Sequence, residues 1–491
     1  MRDIIFTFFN YFVFFYTSML AIFFVTFAFL SFISLKRRKD YYVESYMRKT
    51  IKESPYTPGI SVIAPAFNEE KTIIDNVNSM LALEYPLFEV VIVNDGSTDS
   101  TLKKMIEHYE LIEVPYAYIE RIKTKPFRRL FKSTSPKYSR LIVVDKENGG
   151  TKADASNAGI NVSSYPYFIC TDVDCILEKY ALYRCISPII SSDKQVIAVS
   201  GTMLMANGCV VKDGQIVDVR TPRTPIPLFQ NLEYMRSYLI GKMGWSAING
   251  MPNVSGGFGL FDRSVAIAAG GYDAPSFAED MDLITRMVGY MCDFSRPYKI
   301  VQIPDTCCWT EGPPNLAMLY RQRTRWARGL FQTLNIHRKM IFKKTYKQMG
   351  LLTLPYMFVF EFLAPIIELV GLIVFIYLAF TGAVNWNTAW MIYLTIYTFC
   401  QFLSIVVITY DYYVGMLYKR GYEYLWIIIA SILEPIFYHP IITFCSLRGY
   451  LSYLTNRDFK WKNMERKGFK QKEENTDDAE TAAMKPEPAT I

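Results

Sequence analysis

Long apolar runs constrain this chain more than any other feature. Residues 4–35 are almost free of charge and rich in Phe, and apolar runs return at 351–380, 390–408 and 424–454. About 20 such residues cross the hydrocarbon core of a bilayer. Hydrophobic residues make up 51% of the chain and aromatic ones 15%, above the usage of soluble domains. The first run ends in Lys36, Arg37, Arg38 and Lys39. A cleaved signal would carry its basic residues before a shorter apolar stretch, so this run reads as an anchor. The basic cluster stays cytoplasmic by the positive-inside rule, which leaves the N-terminus outside and the following domain inside.

Topology then meets a conflict. Four simple spans would carry Arg457, Lys460, Lys462, Arg466 and Lys467 outside, against the same rule. Glu434-Pro435 and His439-Pro440 interrupt the last run, so a re-entrant pair of short helices stands as the alternative to one span. The expected division is an N-terminal membrane segment with its basic flank at 1–39, a cytoplasmic catalytic domain at 40–315 and amphipathic interfacial helices at 316–350. Membrane segments follow at 351–455 and a cytoplasmic tail at 456–491. The tail beyond 470 has no aromatic residue and reads as disordered.

The net charge of +7 does not point to nucleic acid, because Lys and Arg cluster beside apolar runs and no nucleic-acid motif is present. Lipid headgroups and phosphorylated substrates are the better partners. Nine cysteines without C-x-x-C spacing and three scattered histidines, His108, His337 and His439, argue against zinc and for a reduced setting. Between 58 and 315 the pattern changes to short β-rich runs separated by turn residues. The runs at 60–65, 88–94, 141–145 and 167–172 read as buried strands with polar carboxyl ends, where α/β sheets bind ligands. Residues 121–140 hold eight Lys and Arg and read as a solvated loop or a membrane-surface contact.

Several polar clusters carry chemistry. Asp172 and Asp174 sit two apart at a strand end, where alternation sends both carboxylates to one side, a geometry for Mg²⁺ or Mn²⁺ bridging phosphates; a solvated strand end is the plain alternative. Asp95 precedes a glycine turn and is set to hydrogen-bond a base or ribose, or is simply a turn residue. Asn68 and Glu69 lie where a strand gives way to a helix whose amides suit an anion, although the acid also complements the helix dipole. Lys152 follows Gly149-Gly150-Thr151 and reaches toward a diphosphate. Glu279 and Asp280 are a candidate base pair, or the acidic start of a helix over 281–290. Gln322, Arg325 and Trp326 lie on a basic amphipathic stretch, for a diphosphate and a sugar ring or for anchoring at the interface.

In this order, Asp95, Asp172-x-Asp174, Glu279-Asp280 and Gln322-x-x-Arg325-Trp326 resemble family 2 glycosyltransferases, above all the processive membrane synthases of cellulose, chitin, hyaluronan and poly-N-acetylglucosamine. The resemblance implies an α/β fold, a GT-A-like nucleotide-sugar-binding domain inserted between transmembrane helices. It implies donor binding by Asn68, Glu69, Asp95, Lys152 and Asp172, and metal binding by Asp172 and Asp174. Asp280, beside Glu279, would deprotonate the acceptor, while Gln322, Arg325 and Trp326 would hold diphosphate and glycan. Thr151 stands where the family more usually runs Gly-Gly-Lys-Ala, which bears on the contact made by Lys152. The implied activity is inverting, processive transfer from a UDP-sugar, UDP-N-acetylglucosamine first, in the cell membrane, with accessory subunits left open. Addition of one sugar to a lipid-linked or other acceptor is the alternative. A transporter or scaffold that binds nucleotide sugar without turnover is a third reading, disfavoured because idle buried acids are costly.

Overall fold

The computed structural model describes residues 2–455 except 42–43, 116–117, 174 and 213. Asp174 and the tail from 456 therefore lie outside the described residues. Twelve strands follow in order: β1 (Ile60–Ala66), β2 (Phe88–Asp95), β3 (Leu111–Glu113), β4 (Phe127–Ser133), β5 (Leu141–Lys146), β6 (Tyr167–Thr171), β7 (Ile176–Leu177), β8 (Gln195–Met205), β9 (Val210–Lys212), β10 (Gln215–Asp218), β11 (Phe258–Asp262) and β12 (Tyr298–Thr310).

Ten of them form one sheet in the order β3-β4-β5-β2-β1-β6-β11-β8-β12-β7, and β9 and β10 pair separately. The centre, β5-β2-β1-β6, is parallel. Its strands are continuous apolar runs because helices bury both faces. Beyond it β11 runs antiparallel to both β6 and β8. The parallel register sets Asn94 beside Asp145 and Asp95 beside Lys146, so polar strand ends meet along one edge of the sheet.

The four strands expected from the sequence are present, three of them one residue longer and β6 ending at Thr171. Residues 121–140 are not a bare loop. They contain β4, antiparallel to β5, with Leu130 and Phe131 buried between basic neighbours that hide the strand signal.

Among the described residues, four stretches are long and apolar enough to cross a membrane: Tyr11–Arg37, Met349–Phe380, Trp386–Val414 and Gly421–Leu454. The second is not one regular helix, since π-helical turns at Met349–Thr353 and Met357–Phe362 precede a straight helix, Ala364–Phe380. The last contradicts the re-entrant alternative. Gly421–Leu454 is one helix of 34 residues with Pro435 and Pro440 inside it. A proline removes a backbone donor and crowds the preceding turn. Packing against Pro225–Arg236 and Leu316–Ile336 holds this helix together regardless. Its acid Glu434 pairs with Arg236 at 2.8 Å, and Glu368 accepts from Thr443 at 2.6 Å, so these carboxylates are partnered instead of lining a path.

The N-terminal helix, Arg2–Tyr41, shares the core of the domain. The Phe27 ring lies 4.6 Å from Trp245, and the Ser31 hydroxyl donates to the Leu239 carbonyl.

Candidate active site

At the carboxyl edge of the parallel strands, Asp95 closes β2 as a buried carboxylate. Its Oδ1 accepts from Lys146 Nζ at 2.8 Å and from the Gly149 amide at 2.9 Å. Lys146 is fully buried and also reaches Asp154 Oδ2 at 2.6 Å. One ammonium thus fixes two acids, one ending β2 and one in the first turn of Lys152–Val162. Gly96 must be glycine: its φ is +66°, and a Cβ there would stand 2.8 Å from the Asn148 amide nitrogen. Asn68 and Glu69 lie beside this edge, where Asn68 Oδ1 accepts from the Thr98 amide at 2.8 Å. The Glu69 carboxylate accepts from the Thr72 hydroxyl at 2.8 Å and so closes its own turn.

The second half of the site is built around the loop at 255–257. Lys152 Nζ donates to the Gly256 carbonyl at 2.6 Å and meets Asp172 Oδ1 at 2.7 Å. Burial opposes the charge of Lys152, but Asp172, Cys170 and Glu279 together more than offset it, and the pKa is raised. The inserted Thr151 does not displace this lysine. It becomes the N-cap of the helix, its side chain accepting from the Asp154 amide at 3.3 Å. On the other side of the loop, the Gly256 amide donates to Asp280 Oδ2 at 3.0 Å. Asp280 and Glu279 open Glu279–Asp293, two residues before the start expected from the sequence. A Cβ on Gly256 would meet Glu279 Oε1 at 3.6 Å and Asp280 Oδ2 at 3.7 Å, so glycine keeps this space open. Burial first, and the Asp280 charge after it, raise the pKa of Glu279 against the pull of Arg325 and Lys152.

Leu316–Ile336 carries the third part and is capped by Asn315, which accepts from the Met318 amide at 3.0 Å. Gln322 Oε1 accepts from Gln230 at 3.1 Å. Arg325 donates to the Phe277 carbonyl at 3.5 Å. Trp326 is half-buried, and the Arg323 guanidinium covers its ring at 4.5 Å. Arg323, absent from the sequence reading, is held by Glu233 at 2.7 Å and by the Tyr438 hydroxyl at 2.9 Å. The sequence reading also missed Lys146, Asp154 and Lys242. Lys242 is 7% exposed, close enough to Asp280 to feel its charge, and stacked 4.6 Å over Tyr238. Only Lys146 left a trace in sequence, as a basic residue ending an apolar strand.

Among the described residues, no three His, Cys, Asp or Glu side chains gather as a metal cage. That suits a hard cation which takes one or two carboxylates and completes its shell with phosphate oxygens and water. Asp172, 37% exposed at its side chain and beside Lys152, is a fitting ligand for such an ion.

Residues 61–203 match the description Glycosyl transferase family 2, and residues 222–444 match Glycosyl transferase family group 2. The poly-β-1,6-N-acetyl-D-glucosamine synthase of Staphylococcus aureus (strain COL) is 29% identical over 278 residues, 56% of this chain and 55% of that one. The enzyme of the same name from Staphylococcus epidermidis is 27% identical over 282 residues, 57% of each chain. The chain thus spans about half the length of these curated relatives. A solved mannosyltransferase of Pyrobaculum calidifontis, in complex with GDP-Man and Mn²⁺, superposes with a TM-score of 0.47 at 17% identity, covering 90% of this chain and 99% of that one. Between them the two family matches take in every site residue placed above, from Asn68 to Trp326, and the chain is a family 2 glycosyltransferase.

Proposed function

We propose that the chain is an inverting, processive polysaccharide synthase that transfers N-acetylglucosamine from its UDP-sugar to a growing β-linked glycan. The observation that carries this reading is the loop at 255–257. Gly256 binds Lys152 through its carbonyl and Asp280 through its amide, so a diphosphate-seeking cation and a proton-accepting acid flank one short segment. Asp280 takes the proton of the acceptor hydroxyl as that oxygen attacks the anomeric carbon and the bond to UDP breaks. Lys152 and Arg325 offset the charge of the departing diphosphate. Asp172, with Asp174, would hold Mg²⁺ or Mn²⁺, which lowers the cost of that charge when bound. Asp95, fixed by Lys146, addresses the nucleobase.

The names of the staphylococcal relatives support the sugar and the polymer. The Leu316–Ile336 helix supports chain retention, because the helix that carries Gln322 and Trp326 packs against both Glu279–Asp293 and Gly421–Leu454. In this reading the catalytic domain is cytoplasmic, in the cell membrane.

Purified full-length protein in lipid, supplied with UDP-N-acetylglucosamine, UDP-glucose or GDP-mannose, tests it by nucleotide release and product size. Polymer from UDP-N-acetylglucosamine, lost in EDTA and restored by Mg²⁺ or Mn²⁺, is expected. Single-addition products would instead establish the non-processive alternative, and release of GDP alone would overturn the donor.

A further inference from the structure

The helix Gly421–Leu454 is fastened to the catalytic domain at both ends. Near its start, the Thr221 amide donates to Glu423 at 3.0 Å and Arg223 meets the same carboxylate at 2.9 Å. Near its end, Asn335 donates to the Tyr453 hydroxyl at 3.1 Å and Arg328 to the Ser452 hydroxyl at 3.4 Å. At 1.5 Å per residue, Glu423 and Ser452 stand about 44 Å apart, more than the roughly 30 Å of a hydrocarbon core. Both sets of partners belong to the sheet domain: Thr221 and Arg223 immediately precede Pro225–Arg236, which packs on β8, and Arg328 and Asn335 lie on Leu316–Ile336, which follows β12. A helix crossing the bilayer would leave one of these polar clusters on the far side.

Its polarity points the same way. The polar side chains Glu423, Glu434 and Ser452 are buried toward the domain and Ser431 toward Gln401 of Trp386–Val414, whereas Leu425, Ile436, Phe437 and Phe444 face outward, 45% to 62% exposed. A surface helix in water shows the opposite arrangement. The outward face is therefore apolar over most of its length, and the exposed His439 and Arg448 are tied to Glu368 and to the Tyr320 hydroxyl. Midway, His439 meets Glu368 at 3.1 Å, and Glu368 lies about one turn into Ala364–Phe380. The middle of the long helix is thus level with the beginning of a projecting one. Ala364–Phe380 and the first half of Trp386–Val414 stand clear of the domain, joined by 381–385, which has no Lys or Arg, while 415–420 ends in Lys419 and Arg420.

We propose that Gly421–Leu454 lies in the plane of the membrane, its outer face in the lipid monolayer on the catalytic side, and that the chain beyond it emerges on that side. The Ala364–Val414 hairpin crosses and returns, so the basic residues Arg457 to Lys467 share a side with the Lys36–Lys39 cluster and the conflict with the positive-inside rule disappears. This stands whatever sugar the enzyme uses.

Cysteines introduced into the full-length protein as Gly382→Cys and Thr455→Cys, probed in intact cells with a membrane-impermeant maleimide against the wild-type background, test the sidedness. Gly382→Cys should label in intact cells, and Thr455→Cys only after permeabilisation, with a several-fold rise. Labelling of both in intact cells overturns the proposal. Nitroxides at Leu425, Ile436 and Leu451 in reconstituted protein test the orientation: equal, shallow depths are expected, and a depth maximum at Ile436 overturns it.

Discussion

In the proposed mechanism Asp280 takes the acceptor proton, and it shares Gly256 with Lys152. Asp280→Asn keeps volume and removes the proton acceptor, so turnover should fall by about 100-fold or more. UDP affinity by calorimetry should stay close to wild type, and near-normal turnover would exclude Asp280 as the base. Lys146 has a different task. It is fully buried between Asp95 and Asp154, and Lys146→Met leaves two buried carboxylates uncompensated, a loss of about 3–5 kcal/mol. Denaturant unfolding checks this, and a near-neutral result would mean those acids find other partners. Lys242 offers a pH signature. Burial pushes its ammonium down to about 8 from an ordinary 10.5. Between those values the unfolded chain binds the extra proton, so stability rises with pH through the window and the cost is complete below pH 8. Lys242→Met should therefore stabilise the protein at pH 7, by up to about 3 kcal/mol, with the gain vanishing above about pH 10.5. A gain that stays flat across the thermal melts would assign the effect to packing instead.

At the scale of elements, Thr151 sets the start of the helix that carries Lys152. It caps Lys152–Val162, and the lysine after it still reaches Asp172. Thr151→Ala should cost about 1 kcal/mol and raise the KM for donor more than it lowers kcat, because the helix end that aims Lys152 loosens. A change in kcat alone would place the effect elsewhere. The central strands were legible because continuous Val and Ile runs between turn residues have few other solutions. β4 was not, since its burial rests on Leu130 and Phe131 among arginines and lysines. The last apolar run misled for a related reason. Local chemistry marks Pro435 and Pro440 as breaks, and only contact with two neighbouring helices makes a single helix of 34 residues.

For the whole molecule, the question is how the transferase domain is coupled to the long apolar helices. Arg323 lies over Trp326 and is itself pinned by Glu233 and by Tyr438 of the long apolar helix. That chain of contacts ties Leu316–Ile336 to Gly421–Leu454. Trp326→Ala should shorten the glycan while donor affinity stays unchanged, because stacking on a terminal sugar holds acceptor, not nucleotide. Products sized by gel filtration would show this. Polymer of normal length at a normal rate would leave Trp326 a packing partner of Arg323.

The sequence by itself determined the apolar helices and the α/β core, and it nominated the carboxylates, amides, lysine, arginine and tryptophan of the candidate site. These depend on local composition, strand periodicity and ordered motifs, all of which are written along the chain. The tertiary structure alone decided that Lys146 fixes Asp95, that Glu69 closes its own turn, that Gly256 joins Lys152 to Asp280 and that Arg323 covers Trp326. Each of these except Glu69 depends on residues from separate elements meeting across the fold. A hydrogen-bonding group shows in sequence what it can offer, but the partner that accepts the offer is set by packing.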